Sequence, residues 1–150
     1  MSLAQHIARQ REHLEAFITV LEAERESLSA GQVDGQRLSE QARQKQAQVT
    51  QLERLETQRL SAQRRLGYGE GRQGAETAAR DAGCLDAWLE FRQRALHARQ
   101  LNQLNGLLIG SRLAQNQKIL DFLRNAAGQA LYGPDGQSRL GSLGGVSSCA

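Results

Sequence analysis

Three histidines and two cysteines are the side chains in this sequence best suited to chemistry, and their spacing organises none. His6 and His13 stand two helical turns apart and can share a face, while His97 is remote. A zinc site takes at least three protein ligands. No third ligand stands at a matching interval, and neither HExxH nor CxxC occurs. Surface histidines are the simpler reading. Cys84 and Cys149 share no motif, and neither has a histidine beside it to take its proton. Two such cysteines fit a reducing compartment better than a disulfide framework. The stretch Gly67-Tyr68-Gly69-Glu70-Gly71-Arg72-Gln73-Gly74 is glycine-rich, but a phosphate cradle needs a preceding strand and a closing GK[ST]. It has neither and reads as a flexible connector. Glu and Arg at helical intervals, such as Arg11–Glu15 and Glu22–Arg25, read as solvated faces. No catalytic residue, metal ligand or cofactor is assigned, and the chain reads as a non-enzyme.

What remains is recognition, and the stretch from Leu85 to Gly136 carries it. Two apolar stripes run along it. One is Leu85, Trp88/Leu89, Ala95/Leu96, Gly106, Ile109, Leu113, Leu120 and Leu123. The other is Phe91, Ala98, Leu101, Leu104/Leu108, Ile119, Phe122 and Ala126. Both advance mostly by three or four residues, as a helix requires, and they lie roughly 100° apart around its axis. Two stripes imply neighbours on two sides, or one internal neighbour and one partner. Gly106 and Gly110 share a face, either as tolerated passengers or to admit another backbone closely. Asn102 and Asn105 are mild liabilities inside a helix unless they are exposed or make specific hydrogen bonds.

The elements around this stretch read as helices. Of the 150 residues only one is proline and aromatics are 4%, so the core must be aliphatic and thin. Helix one spans about 2–29, with the stripe Leu3, Ile7, Leu14, Phe17/Ile18, Leu21, Leu28, broken at Gln10/Arg11 and Glu24/Arg25. Ser2 can cap it. The short GQVDG link implies an antiparallel hairpin into helix two, about 36–66. That helix has the thin stripe Leu38, Ala42, Val49, Leu52, Leu55, Ala62, Leu66, interrupted by Lys45 and Arg59. Residues 75–82 offer one or two further turns, and Gly83 ends them. Helix three takes 85–128. The turn Tyr132-Gly133-Pro134-Asp135-Gly136 and a Gly/Ser-rich flexible tail complete 129–150. Within the tail, Leu140, Leu143 and Val146 recur every three residues and would line one side if it became helical on a partner. The expected fold is all-α: an elongated antiparallel three-helix bundle or coiled-coil-like hairpin over 1–128, with a flexible C-terminal tail.

Charge and hydropathy exclude other classes. The net charge is +3, but it is dispersed: the only lysines are Lys45 and Lys118, and the arginines alternate with Glu and Gln. The densest basic site is Arg64-Arg65, beside Arg59. This is no basic stripe, so nucleic acid is not the expected partner. No apolar run approaches the roughly 18 residues of a spanning helix, and the first 15 residues hold no apolar signal core. A cytoplasmic protein without membrane insertion is expected.

Several of these residues together resemble the FlgN-type flagellar export chaperones. They are the charged amphipathic first helix, the Gln/Arg-rich second, Trp88, Asn102-x-x-Asn105-Gly106-Leu107-Leu108-Ile109, and Leu131-Tyr132-Gly133-Pro134-Asp135-Gly136. The resemblance implies a cytoplasmic type III secretion chaperone. Such a protein binds the C-terminal helical segments of the hook-associated proteins FlgK and FlgL, prevents their premature association and hands them to the flagellar export apparatus. It also implies that the C-terminal part recognises the cargo. On the residues themselves, Leu101, Leu104 and Leu108 offer an apolar face for an amphipathic helix. Asn102, Asn105, Gly106, Ile109 and Tyr132 flank it, and Leu140, Leu143 and Val146 are candidates to fold against the same cargo. The competing class is a structural or self-assembling coiled coil, which would need the heptads that fail at Lys45 and Arg59. The choice between monomer and homodimer stays open.

Overall fold

A computed structural model describes residues 1–131, apart from the side chains of 115, 116 and 127–131. Four helices make up almost all of it: α1 (Leu3–Ser29), α2 (Gly35–Arg65), α3 (Arg72–Asp81) and α4 (Leu85–Leu131). No strand occurs among the described residues. The fold is all-α. The chain forms two compact units, Met1–Leu108 and a second beginning at Ile109.

In the first unit several helix ends are set by local chemistry. The Ser2 hydroxyl accepts from the Gln5 amide, and the Gln5 side chain accepts from the Ser2 amide at 2.8 Å, forming a reciprocal capping box. Asp34 caps α2 by accepting from the Gln36 and Arg37 amides. Asp86, in the first turn of α4, complements the positive end of the helix dipole. Gly83 joins α3 to α4 at φ +69°, a conformation in which a Cβ would crowd the backbone.

The expected stripe of α1 is the core. Leu3, Ile7, Leu14, Ile18, Leu21 and Leu28 are all buried. Each contributes about 1.5–3 kcal/mol by leaving water. Leu3 and Ile7 pack with Trp88 and with Ala75, Ala78 and Ala79 of α3. Leu14, Ile18 and Leu21 pack with Ala98 and Leu101 of α4, and Leu52 of α2 lies against them. Trp88 stacks on Phe91 with ring centroids 5.6 Å apart.

The inner side of α2 departs from expectation. Ala42 and Leu66 face water, and the buried residues are Gln41, Leu55, Arg59 and Gln63. Hydrogen bonds explain how so polar a helix face can be buried. The interruptions in the α1 stripe, Gln10 and Glu24, are themselves buried and meet the interruptions in α2. Gln10 Nε2 donates to Glu56 Oε2 at 2.6 Å. Arg59 donates to both Glu56 oxygens, at 3.0 and 2.6 Å, and to Gln63 Oε1 at 2.8 Å. Its guanidinium also lies 4.5 Å from the centroid of the Trp88 ring. Further along, Lys45 Nζ reaches Glu24 Oε1 at 3.2 Å, and Gln41 donates to Ser27 at 3.1 Å. The α1–α2 interface is therefore an aliphatic seam punctuated by paired polar groups.

These pairs set a pH dependence. Burial alone would raise the Glu56 carboxyl, but hydrogen bonds from Arg59 and Gln10 outweigh it and hold the group below its ordinary range. The hydrogen bond from Arg94 depresses Glu15 as well. Burial, aided by Arg9 and Arg59, lowers His6 below 6.5. In all three cases the folded chain binds protons less readily than the unfolded one. Stability is then complete above the unfolded values and is lost as pH falls through the folded ones. The urea midpoint is expected to hold from pH 8 to about 6.5, decline as His6 is forced to charge, and fall again below about 4.3, where carboxylates take up protons. Circular dichroism across that range checks the order of the two stages.

The glycine-rich connector is a built turn, in contrast to the flexible link its composition suggests. Gln63 Nε2 donates to the Gly69 carbonyl at 2.6 Å, and the Tyr68 hydroxyl donates to Asp81 at 2.7 Å. α3 starts inside this stretch, so it is longer than the one or two turns read from 75–82. Gly74 sits in α3 directly against the Gly69 carbonyl, in the space a Cβ would occupy. Gly74→Ala should therefore lower stability by about 1–3 kcal/mol through overpacking, despite alanine's better helix propensity. Chemical denaturation measures this, and a stabilised variant would mean the turn is not held as described.

Candidate functional site

Among the described residues no group of three or more His, Cys, Asp or Glu can hold a metal ion. Burial raises the Cys84 thiol, which favours the protonated form over a nucleophilic thiolate. No described helix is long and apolar enough to cross a membrane.

The structure separates the residues that the sequence grouped as one face. Leu101 is core, packed with Leu14, Ile18, Leu21 and Ala98. Asn105 is fully buried, and its Nδ2 donates to the Leu21 carbonyl and to Glu24 Oε1, both at 2.9 Å. This is the specific bond an asparagine inside a helix needs, and it gives Glu24 a second donor besides Lys45. Leu101 and Asn105 thus hold α4 against α1 and are not on the accessible face. Asn102, Leu104 and Gly106 are exposed, Leu108 is half-buried, and Ile109 is exposed at the start of the second unit. Tyr132, Leu140, Leu143 and Val146 lie outside the described residues. Among the described residues no atom comes within 4 Å of a Cβ built on Gly106 or Gly110.

The accessible apolar surface is larger than the sequence suggested. Within the first unit, Leu89, Leu96 and Leu107 are exposed. Within the second unit, Ile109, Leu113, Ile119, Leu120, Phe122 and Leu123 are all exposed, with Leu113 at 63% and Phe122 at 70%. Ile109, Leu113, Leu120 and Leu123 follow one another at intervals of four, seven and three, which fits a coiled-coil seam with Asn116 at the skipped position, and Ile119 and Phe122 widen it on one side. Apolar side chains repeated at this spacing and left in water mark a surface that another helix can cover. The period was legible in the sequence. Which positions the fold leaves uncovered was not: within the first unit Trp88 of one stripe and Ala98 and Leu101 of the other are buried, whereas members of both stripes are exposed in the second.

The sequence reading passed over Gln10, Glu24, Lys45, Glu56, Arg59 and Gln63 as functional positions. The available signal was that the gaps in one stripe, folded back through a short hairpin, fall opposite gaps in the other.

A family model described as FlgN protein matches residues 1–139. The flagella synthesis protein FlgN of Salmonella typhimurium is 34% identical over 127 residues, covering 85% of this chain and 83% of that one. Its namesake in Proteus mirabilis is 30% identical over 143 residues, covering 95% and 94%. The namesake in Escherichia coli K12 is 28% identical over 127 residues, covering 85% and 83%. No solved structure matches the chain.

Proposed function

Because this chain belongs to the FlgN family, we propose that it is a cytoplasmic flagellar export chaperone whose cargo is the C-terminal helical segments of the hook-associated proteins FlgK and FlgL. The observation that carries the reading is the exposed heptad seam of the second unit, Ile109, Leu113, Leu120 and Leu123, flanked by Phe122. A helix that buries nothing on this side is complementary to an amphipathic cargo helix whose own partner surface forms only after export. Covering the seam shields the cargo's apolar face and keeps it from associating early. Tyr132, Leu140, Leu143 and Val146 are proposed to add to the contact.

Calorimetric titration with synthetic C-terminal segments of FlgK and FlgL tests this. Saturable binding with a negative heat-capacity change, the mark of apolar burial, is the expected result. No binding by either segment would remove the reading. A mass that rises with concentration, with cargo and self-association competing for the same leucines, would instead favour a self-assembling coiled coil.

A further inference from the structure

We propose that the groove between the start of α1 and the end of α2 is a second docking site, specific for an acidic peptide segment of a partner protein. The groove lies wholly in the first unit, so it is independent of the cargo seam. It is open, about 650 Å³, and lined by Leu3, His6 and Arg9 from α1 and by Gln58, Arg65 and Leu66 from α2, among others. Among the described residues no carboxylate lines it. Its two arginines, Arg9 and Arg65, are exposed and have no ion pair among the described residues; Arg37 and Arg43 are likewise without one, but only Arg9 and Arg65 share this lining. The first turn of α1 carries no acid to offset the positive end of its dipole. His6, only 9% exposed, lines the groove, and no protein group pairs with its Nδ1.

These features favour an anion, and the apolar lining selects its kind. Leu66 is 60% exposed at the rim and Leu3 forms part of the wall. A peptide can set an aliphatic side chain on these leucines while its carboxylates meet Arg9 and Arg65, forming charge-assisted hydrogen bonds. Among the described residues the one aromatic ring in the lining is His6, which at 9% exposure offers no open face on which to stack a base.

The test uses the full chain and a fluorescently labelled Glu-Glu-Leu-Leu-Glu-Glu peptide, with its Gln-for-Glu counterpart as control. The acidic peptide is expected to bind and to move the His6 ring resonances, and the Gln peptide is not. Arg9→Glu with Arg65→Glu should weaken binding by at least about tenfold. Arg37→Glu with Arg43→Glu makes the same change in net charge on α2, with Arg43 about 33 Å of helix from Arg65, and should leave binding nearly unchanged. Equal weakening by both pairs would reduce the effect to net charge and overturn the proposal. So would equal binding of the Gln peptide, or inorganic phosphate moving His6 as far as the peptide does. Binding to phosphatidylglycerol vesicles without binding to the peptide would overturn it in favour of a lipid surface.

Discussion

Replacing Leu113 and Leu120 together by glutamate is expected to abolish cargo binding while leaving the helices and their stability intact. Both leucines are exposed, at 63% and 47%, so neither supports the packing of the chain itself. Glutamate is nearly as good a helix former as leucine, and exposed substitutions of this kind stay within about 0.5 kcal/mol. In a complex, the same two positions would each forgo about 1.5–3 kcal/mol of burial. They would also press two carboxylates against an apolar cargo face. A loss of roughly two to four orders of magnitude in affinity follows. Glutamates at Leu89 and Leu96 are the matched control, because these leucines are also exposed but belong to the first unit. Calorimetry and circular dichroism separate the outcomes. Melting of the doubly substituted protein would show the seam to be core, and undiminished binding would show the cargo to sit elsewhere.

The second large effect is expected at Asn105, and it falls on stability. The Nδ2 group donates to the Leu21 carbonyl and to Glu24 Oε1 in an interior where Glu24 is 4% exposed. Asn105→Asp removes those donor hydrogens and sets a second carboxylate beside the first, with Lys45 the only cation among Glu24's recorded partners. A buried charge left unmatched costs about 3–5 kcal/mol, a large share of the 5–15 kcal/mol typical of a folded domain. Asn105→Ala loses the hydrogen bonds without adding charge and should cost less, about 1–3 kcal/mol. The aspartate variant carries a further signature: acidification toward pH 5 should narrow its deficit relative to Asn105, because a protonated carboxyl can donate where the amide did. Urea denaturation at two pH values reads both the ranking and the convergence. An aspartate variant as stable as the parent chain would place Asn105 on the surface.

Asn105 also shows what the sequence could and could not disclose. Helical period, the capping serine, the hairpin link and the α1 core stripe were all readable, because each follows from local chemistry or from one-dimensional spacing. The inner face of α2 was not. Hydrophobic spacing picks out Ala42, Val49 and Leu66, yet the packed side presents Gln41, Arg59 and Gln63, whose burial is tolerable because Gln41 donates to Ser27, Arg59 to Glu56 and Gln63, and Gln63 to the Gly69 carbonyl. The pairs that cross the hairpin, Gln10–Glu56 and Lys45–Glu24, are long-range, and their only trace in the sequence is a set of gaps in the two stripes. The same limit applies to the candidate face. Leu101 and Leu104 differ by three residues and read as equivalent, but α1 covers the first and leaves the second in water.

The polar punctuation of the α1–α2 seam also bears on how the chain avoids folding wrongly. A hairpin of two long helices closed by leucine alone could zip up seven residues out of step at little penalty, because a heptad pattern superposes on itself. Here a slip of seven would carry Lys45 away and bring Leu38 or Leu52 opposite Glu24, stranding a carboxylate against hydrocarbon. The same slip would part Gln10 from Glu56. Mispaired hairpins are thus penalised at two separate points along the seam, so such traps should be shallow and short-lived, and one alignment is left to accumulate as the chain emerges from synthesis.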